Sequence, residues 1–351
     1  MRRADGAEHV ITFTAREVGI APAGDALLAA TLLPAMRLHE ELEVADEVSP
    51  RLLGASDTIQ DIWTSWAHHV HPADPPFARV PLRARTRDAP LFDAPRGRAC
   101  FFTAGVDSFY TALARRSELD ALVFVHGFDV ALDDPVRDRV ADGVRKAAAA
   151  LGLPLVEVET DIRAFSDELL SWPDYHGSAL ASVALLLAPA FETIYLPATM
   201  TYALLDPLGS HPLLDPLWST EDVEVVHEGL GATRIEKLAA ITEEPAARRW
   251  LRVCYRNHGG AYNCGRCEKC VRTMVALRIA GLADRVESLP PLRLSQVATV
   301  RVPGQGSMWR SYAELLQATG RDPALRRAIQ AALLGRHARR VARRLRAVAA
   351  P

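Results

Sequence analysis

Four of the five cysteines fall within residues 254–270, in CYRNHGGAYNCGRCEKC, spaced C-x9-C-x2-C-x2-C. Each C-x2-C step lets two thiolates grip one ion. Four soft ligands suit a closed tetrahedral zinc site with no open coordination position. Cys254, Cys264, Cys267 and Cys270 are therefore the expected metal ligands, with Gly259, Gly260 and Gly265 supplying the turns between them. His258 is a weaker fifth candidate. An iron–sulfur cluster is the rival occupant, because thiolates ligate both. A donor set of this composition folds a loop and performs no hydrolysis itself. The fifth cysteine, Cys100, sits alone in an apolar run.

The second stretch with chemistry in it is TAGVDS (103–108), between the apolar run ACFFT and the helical rhythm of DSFYTALARR. A helix N-terminus offers unpaired N–H groups and partial positive charge, so it attracts phosphate. Gly105 allows a tight turn and close backbone approach. Asp107 and Ser108 suit the first turn, and the hydroxyls of Thr103 and Ser108 add donors. The chain contains no GxxxxGK[ST], and no GxGxxG follows a strand. On these residues alone, a capped turn and a phosphate loop are equally good readings.

TAGVDS behind a buried strand resembles the SGGxDS loop of the PP-loop ATP pyrophosphatase superfamily. Thr103, Gly105, Asp107 and Ser108 match it chemically. Ala104 departs from it where the family carries a second glycine, and a methyl there narrows the loop. The pairing of this loop with C-x(8–10)-C-x2-C-x2-C is similar to the 7-cyano-7-deazaguanine synthase family, over roughly residues 98–285. The resemblance implies a Rossmann-like PP-loop fold and cleavage of ATP to AMP and pyrophosphate. It also implies adenylation of a carboxylate or amide oxygen, then attack by ammonia or an amine. ATP would lie on residues 103–108, with His126 and Asp129 of HGFD beside the nucleotide. Mg²⁺ would neutralise the polyphosphate, with Asp107 as a candidate contact, and zinc would sit near the site. The rival readings are a tRNA-modifying sulfurtransferase of the same superfamily and a non-catalytic, zinc-stapled nucleotide-binding module.

Two further stretches are more polar than packing requires. LGSHPLLDPLWST (208–220) offers Ser210, His211, Asp215 and Ser219 as substrate contacts, with a proline-stiffened connector as the alternative. HEGLGATRIEKLAAI (227–241) puts Arg234 and Lys237 one helical turn apart, where they can hold pyrophosphate or an adenylate.

These residues need a scaffold, and hydrophobic periodicity predicts one. ACFFT (99–103), ALVFVHG (121–127), PLVEVET (154–160) and ETIYLPA (192–198) read as buried strands. PVRDRVADGVRKAAAAL (135–151) and SALASVALLLAPAF (178–191) read as helices between them. Alternation of this kind predicts an α/β fold with a doubly wound parallel sheet. Ligands then sit beyond the carboxyl ends of the strands, where TAGVDS, HGFD and PATMTY all fall. Residues 1–95 read as a small α+β N-terminal domain, with strands near HVITFTA and RVPLRARTR, a helix around Thr58–Val70 and proline-rich ground at 71–76. Residues 96–285 form the PP-loop domain, and 286–351 a mainly helical extension.

Of 351 residues, 49% are hydrophobic and the formal charge is −2, which gives no global electrostatic case for nucleic acid or an anionic membrane. Six arginines in RHARRVARRLR (336–346) read as a solvated helix face. The longest apolar stretch holds a proline and is too short to span a bilayer. The expectation is a cytoplasmic enzyme with a small-molecule or peptide acid as substrate, for which a homo-oligomer is an open assembly.

Overall fold

The computed structural model describes residues 3, 6–69, 77–302 and 306–349, with positions 340 and 342–349 described in backbone only. The proline-rich stretch 71–76, residue 70 and most of the arginine side chains in 336–346 lie outside what is described.

The strands are β1 (Phe13–Ala15), β2 (Leu42–Val48), β3 (Leu82–Thr86), β4 (Gly97–Phe101), β5 (Ala121–His126), β6 (Leu155–Thr160), β7 (Phe191–Pro197) and β8 (Glu224–Glu228). Six of them form one sheet in the order β1-β6-β5-β4-β7-β8. All neighbours are parallel except β1, which closes one edge antiparallel to β6. β2 and β3 pair separately as a parallel two-stranded sheet.

The helices are α1 (Gly24–Leu38), α2 (Pro50–His69), α3 (Val106–Ala114), α4 (Arg137–Leu151), α5 (Ile162–Ser166), α6 (Trp172–Leu186), α7 (Arg234–Ile241), α8 (Pro245–Trp250), α9 (Glu268–Ile279), α10 (Leu294–Thr299), α11 (Ser307–Thr319) and α12 (Pro323–Ala349). They cover both faces of the sheet. Strand alternation decides which residue faces which layer. Ala99, Phe101, Val123 and Val125 pack with α1 and α6, whereas Cys100, Phe102, Leu122 and Phe124 pack with α3, α4 and α9. β5 is buried along its whole length, as a strand covered on both faces must be. The protein is thus an α/β fold on a mostly parallel sheet.

Chain order explains where a site must form. From β4 the chain winds outward through β5 and β6, then returns to the other side of β4 as β7 and β8. The direction of winding therefore reverses between β4 and β7, which opens a crevice at their carboxyl ends. TAGVDS leaves β4 there, and PATMTY leaves β7 there.

Two outer segments complete the body. The N-terminal residues supply β1 to the large sheet and lay α1 against α6. Buried Arg87 ties them in, pairing with Asp25 at 2.7 Å and with Asp222, just before β8, at 2.9 Å. At the other end, Val297, Trp309, Tyr312, Leu316, Leu325 and Ile329 join the same apolar cluster as α3 and α9. Several elements differ from the sequence expectation. α2 begins at Pro50 and not near Thr58, α6 begins at Trp172 and not at Ser178, and α1, β2 and β8 emerge in stretches where no element was expected.

Candidate anion site beside a four-cysteine cluster

β4 ends at Phe101, and residues 102–105 carry the chain into α3. Gly105 is the N-cap residue, extended at φ −80° and ψ 171°. The Ser108 hydroxyl oxygen accepts the N–H groups of Gly105 at 3.0 Å and Thr103 at 3.3 Å, which folds the loop over the first turn. The N–H groups of Val106, Asp107 and Ser108 open the helix and have no intrahelical acceptor.

Ala104 takes a left-handed conformation, with φ +54°, and is fully buried. Only glycine adopts that region without cost; a Cβ there costs about 1–2 kcal/mol. The expectation that its methyl narrows the loop is therefore corrected. The methyl sits in the core cluster and does not line the cavity above.

That cavity, about 380 Å³, lies over the crevice, a size typical of small-ligand sites. Thr103, Gly105, Val106, Asp107 and Ser108 line it, as do His126 and Asp129 from the end of β5. The Asp107 carboxylate meets Arg234 at 3.0 Å and Lys237 at 3.3 Å. Burial raises the Asp107 pKa, but Arg234 and then Lys237 outweigh it and hold the group below its ordinary value. A capping box between Thr233 and Glu236 fixes the first turn of α7 and hence the start of Arg234. Lys237 is 1% exposed and also donates to the Ala198 carbonyl. Burial lowers its pKa, which Asp107 partly restores. Arg234 lines the cavity; Lys237 stands behind Asp107.

Four cations that sequence reasoning missed, Arg137, Arg252, Lys269 and Arg272, complete the lining. Arg252 is 4% exposed, and its Nη2 donates to Asn257 at 2.9 Å. Arg272 Nε lies 3.3 Å from Glu268 Oε1, an ion pair without hydrogen-bond geometry. The Nε atoms of Arg234, Arg252 and Arg272 are all buried with no hydrogen-bond partner. Each such orphaned donor costs about 1–3 kcal/mol. The available signal was position: Arg252 precedes the first clustered cysteine by two residues, while Lys269 and Arg272 flank the last.

The other expected contacts are arranged differently. His126 is engaged on both ring nitrogens, by Glu157 at 2.7 Å and by Arg137 at 3.3 Å. Of the four residues expected from the 208–220 loop, Ser210 alone lines the cavity. Asp215 is fully buried and accepts from Ser210 and His227, each at 2.6 Å. Ser219 accepts from the Val225 amide at 3.0 Å, and His211 packs edge-on to Trp66. These three shape the loop from within and do not line the cavity.

Directly beside the cavity, the side-chain sulfurs of Cys254, Cys264, Cys267 and Cys270 all lie within 4.8 Å of one another. A tetrahedral zinc–thiolate centre has sulfur–sulfur edges of about 3.8 Å, and Cys254 and Cys267 are 3.9 Å apart. Backbone amides of Asn257 and Cys267 donate to the sulfurs of Cys254 and Cys264, each at 3.3 Å. Such bonds favour the thiolate form that a metal requires. The cluster can hold a metal ion. His258 is exposed and outside it. Cys100 is buried in β4, where burial raises its pKa. Among the described residues, no helix is long and apolar enough to cross a membrane. No family model, curated protein or solved structure matches the chain.

Proposed function

We propose that this protein is an ATP-dependent ligase of the PP-loop type, which adenylates an acid and passes the acyl group to a nitrogen nucleophile. One observation carries the reading: three arginines, Arg234, Arg252 and Arg272, line one cavity with the open N-terminus of α3, and each has a buried Nε without an acceptor. An oxyanion-rich ligand would balance the three guanidinium charges together, and phosphate is the ligand that helix N-termini and arginine forks suit best. The loop sequence then favours ATP over other phosphates, through its likeness to SGGxDS.

In the proposed reaction a substrate carboxylate oxygen attacks the α-phosphorus of ATP. The bond to the β-phosphate breaks and pyrophosphate leaves toward the α3 amides, Arg234 and Arg272. Ammonia or an amine then attacks the acyl carbon of the mixed anhydride, the acyl–oxygen bond breaks, and AMP departs as the nitrogen loses a proton. This chain's residues hold and neutralise the leaving groups, so catalysis comes from positioning and charge stabilisation. Asp107 fits a role as anchor for Arg234 and Lys237, and its oxygens keep lone pairs that suit Mg²⁺. Mg²⁺ would neutralise part of the polyphosphate charge. Zinc fits the four thiolates and would serve a structural role, holding Arg252 and Arg272 against the loop.

The test is direct. Purified protein given Mg²⁺ and ATP should bind the nucleotide in calorimetry, and with candidate acids plus ammonia should release AMP and pyrophosphate. Arg272→Ala should weaken ATP binding at least tenfold, the scale expected for losing one charge-assisted contact. Absence of ATP binding by the wild-type, zinc-loaded protein would sink the proposal. Binding with no AMP from any acid would leave a nucleotide-binding module.

A further inference from the structure

The lining of the cavity divides between the two faces of the sheet. Arg137, Arg234, Arg252, Lys269 and Arg272 stand on α4, α7, α9 and the segment before the cysteines, all packed on the α3 side. Among the described residues, the α6 side contributes no lysine or arginine to the lining. There Val125, Phe128, Trp172, Leu180 and Leu196 line the cavity, and each belongs to or packs against the apolar cluster of α1 and α6. Trp172 meets Phe128 edge-on, with ring centroids 5.0 Å apart. Arg163, outside the lining, stacks on the Trp172 ring at 4.7 Å and donates to the Phe128 carbonyl at 2.7 Å, which holds both rings in place. Leu208 closes this arm from the loop after β7, and next to it the Gly209 amide donates to the Pro173 carbonyl at 2.8 Å. A Cβ on Gly177 would lie 2.0 Å from the Gly209 carbonyl oxygen, so α6 and the loop meet backbone to backbone. The polar side chains of this wall are largely spent. Ser210 donates to Asp215 at 2.6 Å. His176 lines the cavity from α6 with Nδ1 3.0 Å from the Pro173 carbonyl, which can only accept, so Nδ1 carries the proton. Burial lowers the His176 pKa against the opposing pull of Asp215, which leaves a neutral ring whose Nε2 is an acceptor.

We propose that this arm is the acyl subsite, and that the acid it takes carries an apolar aryl body packed among Phe128, Trp172, Leu180 and Leu208. The proposal rests on the reading of the cavity as the site of an ATP-dependent ligase. Phosphates on the α3 amides keep the nucleotide on the charged face, beside His126 and the five cations. The second substrate then reaches the α-phosphorus from the uncharged face, its carboxylate toward the cations and its body in the arm. An apolar ring gains from leaving water there, and the edge-on Trp172–Phe128 pair presents faces and edges that suit another ring. A nucleobase-like acid, with donors and acceptors around its rim, is disfavoured, because a wall with so few open polar groups leaves them unpaired.

The test compares two probes of equal charge, acetate and phenylpropanoate, by calorimetry on zinc-loaded protein holding Mg²⁺ and the non-cleavable α,β-methylene analogue of ATP. Phenylpropanoate should bind tighter by about tenfold or more, the gain expected from burying its ring. Trp172→Ala, which removes the main wall, and Leu208→Trp, which narrows the arm from a loop, should each erase that margin. Both should leave affinity for the ATP analogue unchanged. If the wild type binds the analogue but takes phenylpropanoate no better than acetate, the inference fails alone. It fails equally if the two variants weaken the analogue instead, since the arm then holds the base. If the wild type binds neither the analogue nor pyrophosphate, the phosphate reading fails and takes this inference with it.

Discussion

The backbone N–H of Arg252 donates to the carbonyl of Ala104 at 2.8 Å, joining the cysteine segment to the loop after β4 across nearly 150 residues of sequence. The bond sets two functional parts in one frame. On one side, Ala104 holds the turn that opens α3. On the other, two residues past Arg252, Cys254 begins the metal cluster, and the last clustered cysteine lies on α9 between Lys269 and Arg272. A metal held by the four sulfurs therefore fixes both ends of the cationic lining.

The strained partner of that bond yields the first prediction. Ala104→Gly relieves about 1–2 kcal/mol of left-handed strain but loses a buried methyl worth about 0.8 kcal/mol and adds backbone entropy of about 0.5–1 kcal/mol to the unfolded chain. The terms nearly cancel, so stability in urea should change by less than about 1 kcal/mol. Ala104→Val should lose more than about 2 kcal/mol, since a branched side chain fits neither the backbone nor the close-packed core. A loss clearly above about 1 kcal/mol for glycine, the methyl and entropy losses with no strain relieved, would show that the turn is not left-handed in solution.

Metal content gives the second. Elemental analysis should find about one zinc per chain in a colourless protein, matching four thiolates and no open position. Iron and sulfide in a brown protein would replace zinc with a cluster. Stripping the metal, or Cys267→Ser, should lower the melting temperature and reduce pyrophosphate affinity together, because Arg252 and Arg272 lose their anchor. Loss of metal with unchanged pyrophosphate binding would uncouple the cluster from the cavity.

The sequence carried the strands from β4 to β7, the loop and the cysteines, because each has a strong local signature. α1 escaped because 12 of its residues are buried; a helix apolar on nearly every side has no amphipathic period to detect. β8 is five residues with one fully buried position, Val225, too short and mixed to read as a strand. The cationic lining was less legible for a different reason. Arg252 and Arg272 look like ordinary surface arginines until the folded cysteine segment and a backbone hydrogen bond bring them to the cavity. Ser210 and Asp215, with His227 beside them, form a polar network, and the first two read as ligand contacts for the opposite reason. Their polarity is spent on one another, and sequence alone does not distinguish a self-satisfied network from an open one.

That network gives the third prediction. Asp215→Ala leaves Ser210 and His227 without their shared acceptor at a fully buried position, and should cost about 3–5 kcal/mol. Ser210→Ala leaves the Asp215–His227 pair intact and should cost about 1 kcal/mol. Chemical denaturation of both variants would expose an error: equal losses would mean that Asp215 does not organise the loop.

The final prediction concerns the two cations on one carboxylate. Asp107→Asn leaves Arg234 and buried Lys237 without a counter-charge, so it should cost about 3–5 kcal/mol. Lys237→Met removes a buried charge while Arg234 still neutralises Asp107, and should cost less, about 1–2 kcal/mol, chiefly from the orphaned Ala198 carbonyl. The double variant should lose clearly less than the sum, since the second change removes the charge stranded by the first. The pH dependence follows from the lowered carboxyl pKa. In the wild type the Asp107 contribution is fully present above the ordinary value of 3.8 and disappears as pH falls through the lower folded value. Asp107→Asn should therefore narrow its stability gap to wild type only below about pH 4. Strictly additive losses, or a gap that closes nearer neutrality, would mean that Lys237 is balanced by some other group.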